Sequence, residues 1–190
     1  MPKYKNRYQA HPVDYWQKEF EIAKNIGLDC IEFILDYNDA EKNPLYKPGG
    51  LEEILRVIES TGVSVYTICA DYFMEAPLHS QKEKVAAKSK EVLIKLIQIS
   101  AKIGITDIVI PCVDSSSLSN KEAIDRFVNQ IRKILPNAKE QKINLSLETD
   151  LPPDSFVDLL NKVDSKRITV NYDIGNSAAL GYNPVEELNA

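Results

Sequence analysis

The sequence predicts an α/β protein of the (β/α) TIM-type barrel class, present as an incomplete barrel. Three observations carry that reading. A helix end, a glycine and an apolar strand recur together, in "AKNIGLDCIEFI" from Ala23, "RVIESTGVSVYTIC" from Arg56 and "AKIGITDIVIPC" from Ala101. Repetition of this unit marks parallel strands joined by helices. The strands themselves, such as "VSVYTIC" and "DIVIPC", are near-continuous apolar runs, as parallel strands covered on both faces require. No G-x-G-x-x-G follows any strand, which argues against a doubly wound dinucleotide fold.

The elements follow in order. A first helix is expected over 14–26, with Trp16 and Phe20 on its apolar face and Gly27 closing it. A strand over 29–35 comes next, then a helix over 50–60 that turns at Gly62 into a strand over 63–69. The long apolar periodicity of 81–103 predicts a helix ended by Gly104, followed by a strand over 106–112. "SNKE" places Glu122 three residues after Ser119, a capping box that opens a helix over 119–139. A strand over 143–148 precedes a short helix over 154–163, with Pro153 in its first turn where a missing N–H costs nothing. The last strand is expected over 168–173, and a further helix begins near 184. Barrels of this class have eight strands and about 250 residues. The five strands here correspond to the second through sixth, without the first, seventh and eighth. No linker or composition break divides the chain, so residues 1–190 are read as a single partial (β/α)-barrel domain.

Composition narrows the function. The chain has 190 residues, 44% hydrophobic and 27% charged, with a net charge of −5. Its basic residues are scattered, which disfavours nucleic acid as a partner. The longest apolar stretch, "VLIKLIQIS", is broken by Lys95 and Gln98 and falls short of a membrane span. The amino terminus has no apolar core of a signal peptide, so a cytoplasmic setting is expected. Cys30, Cys69 and Cys112 lie far apart in apolar runs and are read as buried small hydrophobes without zinc spacing or disulfide pairing.

In such barrels chemistry collects at the carboxyl ends of the strands. Those ends read "LDYND", "ADYFME", "VDSSS", "ETD" and "DIGN". All carry acids and none carries His or Cys. Oxygen ligands without thiolate suit Mg²⁺ or Mn²⁺ first, with Zn²⁺ or Co²⁺ as alternatives. Helix capping accounts for Asp36, Asp39, Asp114 and Asp154. It does not account for Glu148, which ends a buried strand where an unpaired charge is costly. Asp71 is a candidate substrate contact, with local packing and capping as the competing role. Glu32 is expected to face the interior and pair with a Lys or Arg. Lys3, Lys5 and Arg7 are the candidates for attracting a phosphate, although an ordinary solvated tail is the preferred reading. His11 and His79 are assigned surface or helix-capping roles.

"LSLETD" followed by "NYDIGNSAALGYNP" resembles the metal-dependent sugar isomerases and epimerases of the xylose-isomerase-like barrels. The similarity is greatest to L-ribulose-5-phosphate (L-xylulose-5-phosphate) 3-epimerases. "GLDCIEFILD" and the "APL" after "ICADYFME" extend the likeness over nearly the whole chain. The resemblance implies that Glu148 is a metal ligand and one of the acid/base carboxylates. It implies that Asp173 is a second ligand and that Asn176 holds substrate. Two further ligands, a His and a Glu, are implied to lie on later strands, so this chain carries half of the site and binds the metal weakly. The expected substrate is a small sugar or sugar phosphate. The expected chemistry is proton transfer next to a carbonyl through an enediolate, with doubtful activity in the 190-residue form. Two rivals stand beside it. One is a catalytically incomplete fragment or binding subunit. The other is an abasic-site endonuclease, disfavoured because no His stands at the second and third strand ends. Open sheet edges predict a homo-oligomer or a strand-donating partner.

Overall fold

The computed structural model describes residues 3–7 and 9–190. Five parallel strands form one sheet in chain order: β1 (Phe33–Ile34), β2 (Thr67–Cys69), β3 (Asp107–Cys112), β4 (Asn144–Thr149) and β5 (Ile168–Val170). The principal helices between and around them are α1 (Trp16–Asn25), α2 (Gly50–Thr61), α3 (Tyr72–Glu75), α4 (Glu83–Ile103), α5 (Lys121–Gln141), α6 (Pro153–Val163), α7 (Ile174–Leu180) and α8 (Pro184–Asn189). The βα alternation and the order of neighbours are those of a TIM-barrel wall.

Local chemistry explains most boundaries. Gly62 and Gly104 close α2 and α4 with φ of +77° and +93°, a conformation that other residues adopt at a cost. The cap of α5 is Asn120, whose side chain accepts the Ala123 N–H at 2.9 Å, so the capping box expected from Ser119 is replaced by the next residue. Strands β1 and β2 are shorter than their apolar runs. Cys30 pairs with Ser64 in an isolated bridge, and the ladder resumes at Phe33 with Ile68. Ile31 and Glu32 therefore oppose Val65, Tyr66 and Thr67, a bulge that breaks regular pairing. Because β1 is an edge strand, Cys30 is exposed there, contrary to expectation, while Cys69 and Cys112 are buried.

The two faces of the sheet differ. Phe33, Ile68, Ile108, Leu145 and Ile168 share one register row. The first four are buried in the core with Leu93, Leu96, Phe127 and Ile131 of α4 and α5. On the opposite face Arg167 donates to Asn144 Oδ1 at 3.0 Å, and Asn144 donates to Asp107 Oδ1 at 3.0 Å. Ser146 reaches that same Asp107 oxygen at 3.2 Å and lies 2.8 Å from the Thr169 hydroxyl. The inner face is thus a satisfied polar ladder rather than the apolar surface the strand composition implied. Hydrocarbon is exposed at both edges of the sheet, at Ile22, Ile26 and Leu28 on the β1 side and at Val170 of β5 with Ile174, Val185 and Leu188 after it. No helix among the described residues is long and apolar enough to cross a membrane.

Candidate active site

Period-two geometry places the site. Ser146 pairs with Thr169 and Leu147 with Val170, and the ladder extends one step as the Asn171 N–H donates to the Leu147 carbonyl at 2.9 Å. Glu148 therefore stands opposite Asn171, on the same inner face as Thr169. Asn171 donates its side-chain amide to Glu148 Oε2 at 2.9 Å, and Asn176 donates its own to Oε1 at 2.9 Å.

The strand ends at Val170, earlier than expected, and Asp173 caps α7. Its Oδ1 accepts the N–H groups of Gly175 at 2.7 Å and Asn176 at 3.0 Å. The residue expected to ligate metal is thus also a helix cap, while Asp36, expected to be a cap, is not one. Asp36 is buried, accepts the His11 backbone N–H at 2.7 Å and forms an ion pair with the Arg7 guanidinium at 2.9 Å. Asp39 and Asp114 adopt left-handed φ values of 60° and 48°. Asp39 precedes a single turn but makes no side-chain cap bond.

Glu148 and Asp173 are brought together through Asn176. Asp71 lies two strands away at the same end of the sheet. It is buried, accepts Gln9 Nε2 at 3.3 Å on both oxygens and the Cys69 thiol at 3.2 Å, and has Arg7 at 3.9 Å. Burial, the largest cause, raises the Glu148 carboxyl above the usual range; the Asn171 hydrogen bond opposes this, and the charges of Asp173, Asp71 and Glu32 reinforce it. Burial also raises Asp71, against the thiol of Cys69. The mouth is therefore crowded with negative charge, and Arg7 reaches it beside Asp71. Glu32 is exposed and pairs with no Lys or Arg among the described residues, contrary to expectation.

Three corrections concern the amino-terminal arm and the histidines. Arg7 belongs to a tight turn, in which Tyr4 and Arg7 exchange two backbone hydrogen bonds at 2.9 Å. Ion pairs from Lys5 to Asp39 and from Arg7 to Asp36 pin that turn, so it is not a solvated tail. His11 is buried against Phe33, with ring centroids 4.7 Å apart. His79 is buried against Phe127 at 6.2 Å. Neither histidine is a surface residue or a cap. Gln9 and Asn171 are the parts of this mouth that the sequence reading misses, while Arg7, a candidate there for attracting a phosphate, is paired with Asp36. For Asn171 the signal was present: in "TVNYD" alternate residues share a face, which puts Asn171 beside Asp173.

No group of three His, Cys, Asp or Glu side chains among the described residues is arranged to hold a metal ion. Glu148 and Asp173 offer hard oxygen donors: each Glu148 oxygen accepts one amide N–H and keeps a second lone pair, and both cap bonds to Asp173 fall on Oδ1, leaving Oδ2 outside the cap. They fit part of a coordination shell for a divalent cation of the Mg²⁺ or Mn²⁺ kind.

This arrangement defines a strand-end carboxylate site on a βα-barrel wall. Residues 20–190 match the profile of the xylose isomerase-like TIM barrel family, and the chain belongs to that family. L-ribulose-5-phosphate 3-epimerase UlaE of Escherichia coli is 26% identical over 188 residues, covering 92% of this chain and 64% of that protein. A xylose isomerase-like TIM barrel protein from Mycobacterium smegmatis, solved in complex with magnesium, aligns with a TM-score of 0.74 at 18% identity. That match covers 95% of this chain and 64% of the other. A D-tagatose 3-epimerase-like protein aligns with a TM-score of 0.74 at 18% identity, over 93% of this chain and 67% of its own. The structural likenesses carry the fold. The chain spans just under two thirds of the length of the curated relatives it matches.

Proposed function

We propose that this chain is the central part, second to sixth strands, of a metal-dependent sugar or sugar-phosphate isomerase or epimerase barrel, forming one partial domain over residues 1–190. The observation that carries the reading is the linking of Glu148 and Asp173 through Asn176 at the carboxyl end of adjacent strand segments, in a xylose isomerase-like barrel whose curated relatives include an L-ribulose-5-phosphate 3-epimerase. Glu148 is the proton-transferring base at a carbon next to a carbonyl, and its raised carboxyl is suited to both taking and returning a proton. Glu148 and Asp173 are also the ligands this chain provides for a divalent cation. Such a cation, when bound, stabilises the negative charge that develops on the enediolate oxygens.

Asn176 and Asp71 line the substrate side. Asn176 orients Glu148 while its oxygen remains available to a sugar hydroxyl, and Asp71 offers a second acceptor across the mouth. With two carboxylates, metal binding is weak, and turnover depends on groups from the remaining barrel wall. The exposed hydrocarbon beside β1 and β5 supports closure by further strands, from a second copy or another stretch of polypeptide. A cytoplasmic setting belongs to the same reading. The test is Mn²⁺ titration of the chain by water-proton relaxation, followed by assay with a ketose 5-phosphate. Weak binding lost in Glu148→Ala supports the reading. Binding unaffected by Glu148→Ala overturns it.

A further inference from the structure

Both oxygens of Glu148 receive an amide N–H, one from Asn176 and one from Asn171. The two donors differ in origin. Asn176 lies in the first turn of α7 and shares Asp173 with the helix cap, so its position follows that of the helix. Asn171 stands on extended backbone locked to β4 by its own N–H bond to Leu147, immediately before Glu148. Its side chain is short, its backbone is fixed, and its amide reaches 2.9 Å from Oε2. With one oxygen held from the strand and the other from the helix, the carboxylate plane of Glu148 cannot rotate without breaking a bond.

We propose that Asn171 is a positioning residue: together with Asn176 it forms an amide cradle that presets the Glu148 carboxylate for a divalent cation. This rests on the metal reading given above. Each amide occupies one lone pair of its oxygen, which leaves the other for a metal ion or a proton. Groups that orient a ligand in this way are ordinarily worth about 10–100-fold in metal affinity. The cradle also explains how a half-buried carboxylate, with like charges around it, keeps one orientation before any ligand arrives.

The experiment has two arms on the 190-residue chain. In the first, the side-chain NH₂ resonances of Asn171 and Asn176 are followed by ¹H–¹⁵N NMR without metal. Both are expected to be dispersed and slowly exchanging, and Glu148→Ala is expected to return them to the positions of free amides. In the second, Mn²⁺ affinity is compared between wild type and Asn171→Leu, which keeps the size and removes the donor. A dissociation constant raised about tenfold or more, with the backbone spectrum preserved, supports the proposal. Asn171 resonances indifferent to Glu148→Ala, or unchanged Mn²⁺ affinity in Asn171→Leu, overturn it. Wild-type chain that binds no Mn²⁺ overturns the metal role of the cradle along with the reading beneath it; amide signals that still respond to Glu148→Ala then identify the metal reading as the part that failed.

Discussion

Glu148 and Asp173 are joined through one residue. Asn176 gives its side-chain amide to Glu148 at 2.9 Å and its backbone N–H to Asp173 at 3.0 Å. A displacement of the α7 amino terminus therefore moves both carboxylates together.

The cap role of Asp173 and its proposed role as a ligand can be separated. Asparagine caps as well as aspartate, so Asp173→Asn is expected to hold stability within about 0.5 kcal/mol, while Asp173→Ala loses about 0.5–2 kcal/mol. Both lose Mn²⁺ affinity because both lose the charge. Urea denaturation and metal titration on the same samples check the split.

Burial lowers the pKa of His11 to about 3, and burial with the neighbouring Arg126 charge lowers that of His79 to about 4. Below the ordinary value near 6.5 the unfolded chain takes up protons that the folded protein refuses. Stability from these two groups is therefore complete above about pH 6.5 and is lost as pH falls toward 3. His11→Phe keeps the stacking on Phe33 and removes a buried Nε2 without a partner. The variant's gain in urea midpoint over wild type is expected to grow as pH falls from 7 to 4.

Asp36 and Arg7 are partners of unequal burial. Asp36→Ala removes the acceptor for the His11 backbone as well as the ion pair, a loss of about 1.5–3 kcal/mol. Arg7→Ala leaves the His11 bond in place and is expected to cost less, since half of Arg7 is in water. Denaturation midpoints in the reverse order would mean that the arm, rather than the buried carboxylate, anchors this corner.

Gly50 and Gly62 bound α2, and for opposite reasons. A Cβ on Gly50 collides with the Pro44 carbonyl, whereas one on Gly62 meets open space but requires a left-handed backbone. Gly62→Ala is expected to cost about 1–2 kcal/mol. Gly50→Ala is expected to cost about 3 kcal/mol or more, because backbone must move to relieve the overlap. Thermal melts of the two variants rank them.

Glycine punctuation and apolar period made the helices legible: α2, α4 and α6 fall within two residues of their expected bounds. The shortfalls have physical causes. The sequence predicts no helix over "ADYFME" or "DIGNSAAL", yet α3 and α7 form there, because an Asp173 cap and tertiary packing stabilise segments too short to show periodicity. The amino-terminal turn was unreadable because its ion pairs reach Asp36 and Asp39, far along the chain. Glu148, Asp173 and Asn176 were legible as a group through strand ends and resemblance. The burial of His11 and His79 depends on aromatic neighbours that only the fold supplies.

The ladder of Arg167, Asn144, Asp107, Ser146 and Thr169 makes the inner face of the sheet wettable. Copies that collide through that side meet hydroxyls and charge and slide apart. Clumping should begin instead at the two rims, where Ile26 and Leu188 stand in solvent, and lysines placed there would raise solubility while leaving the carboxylate mouth untouched.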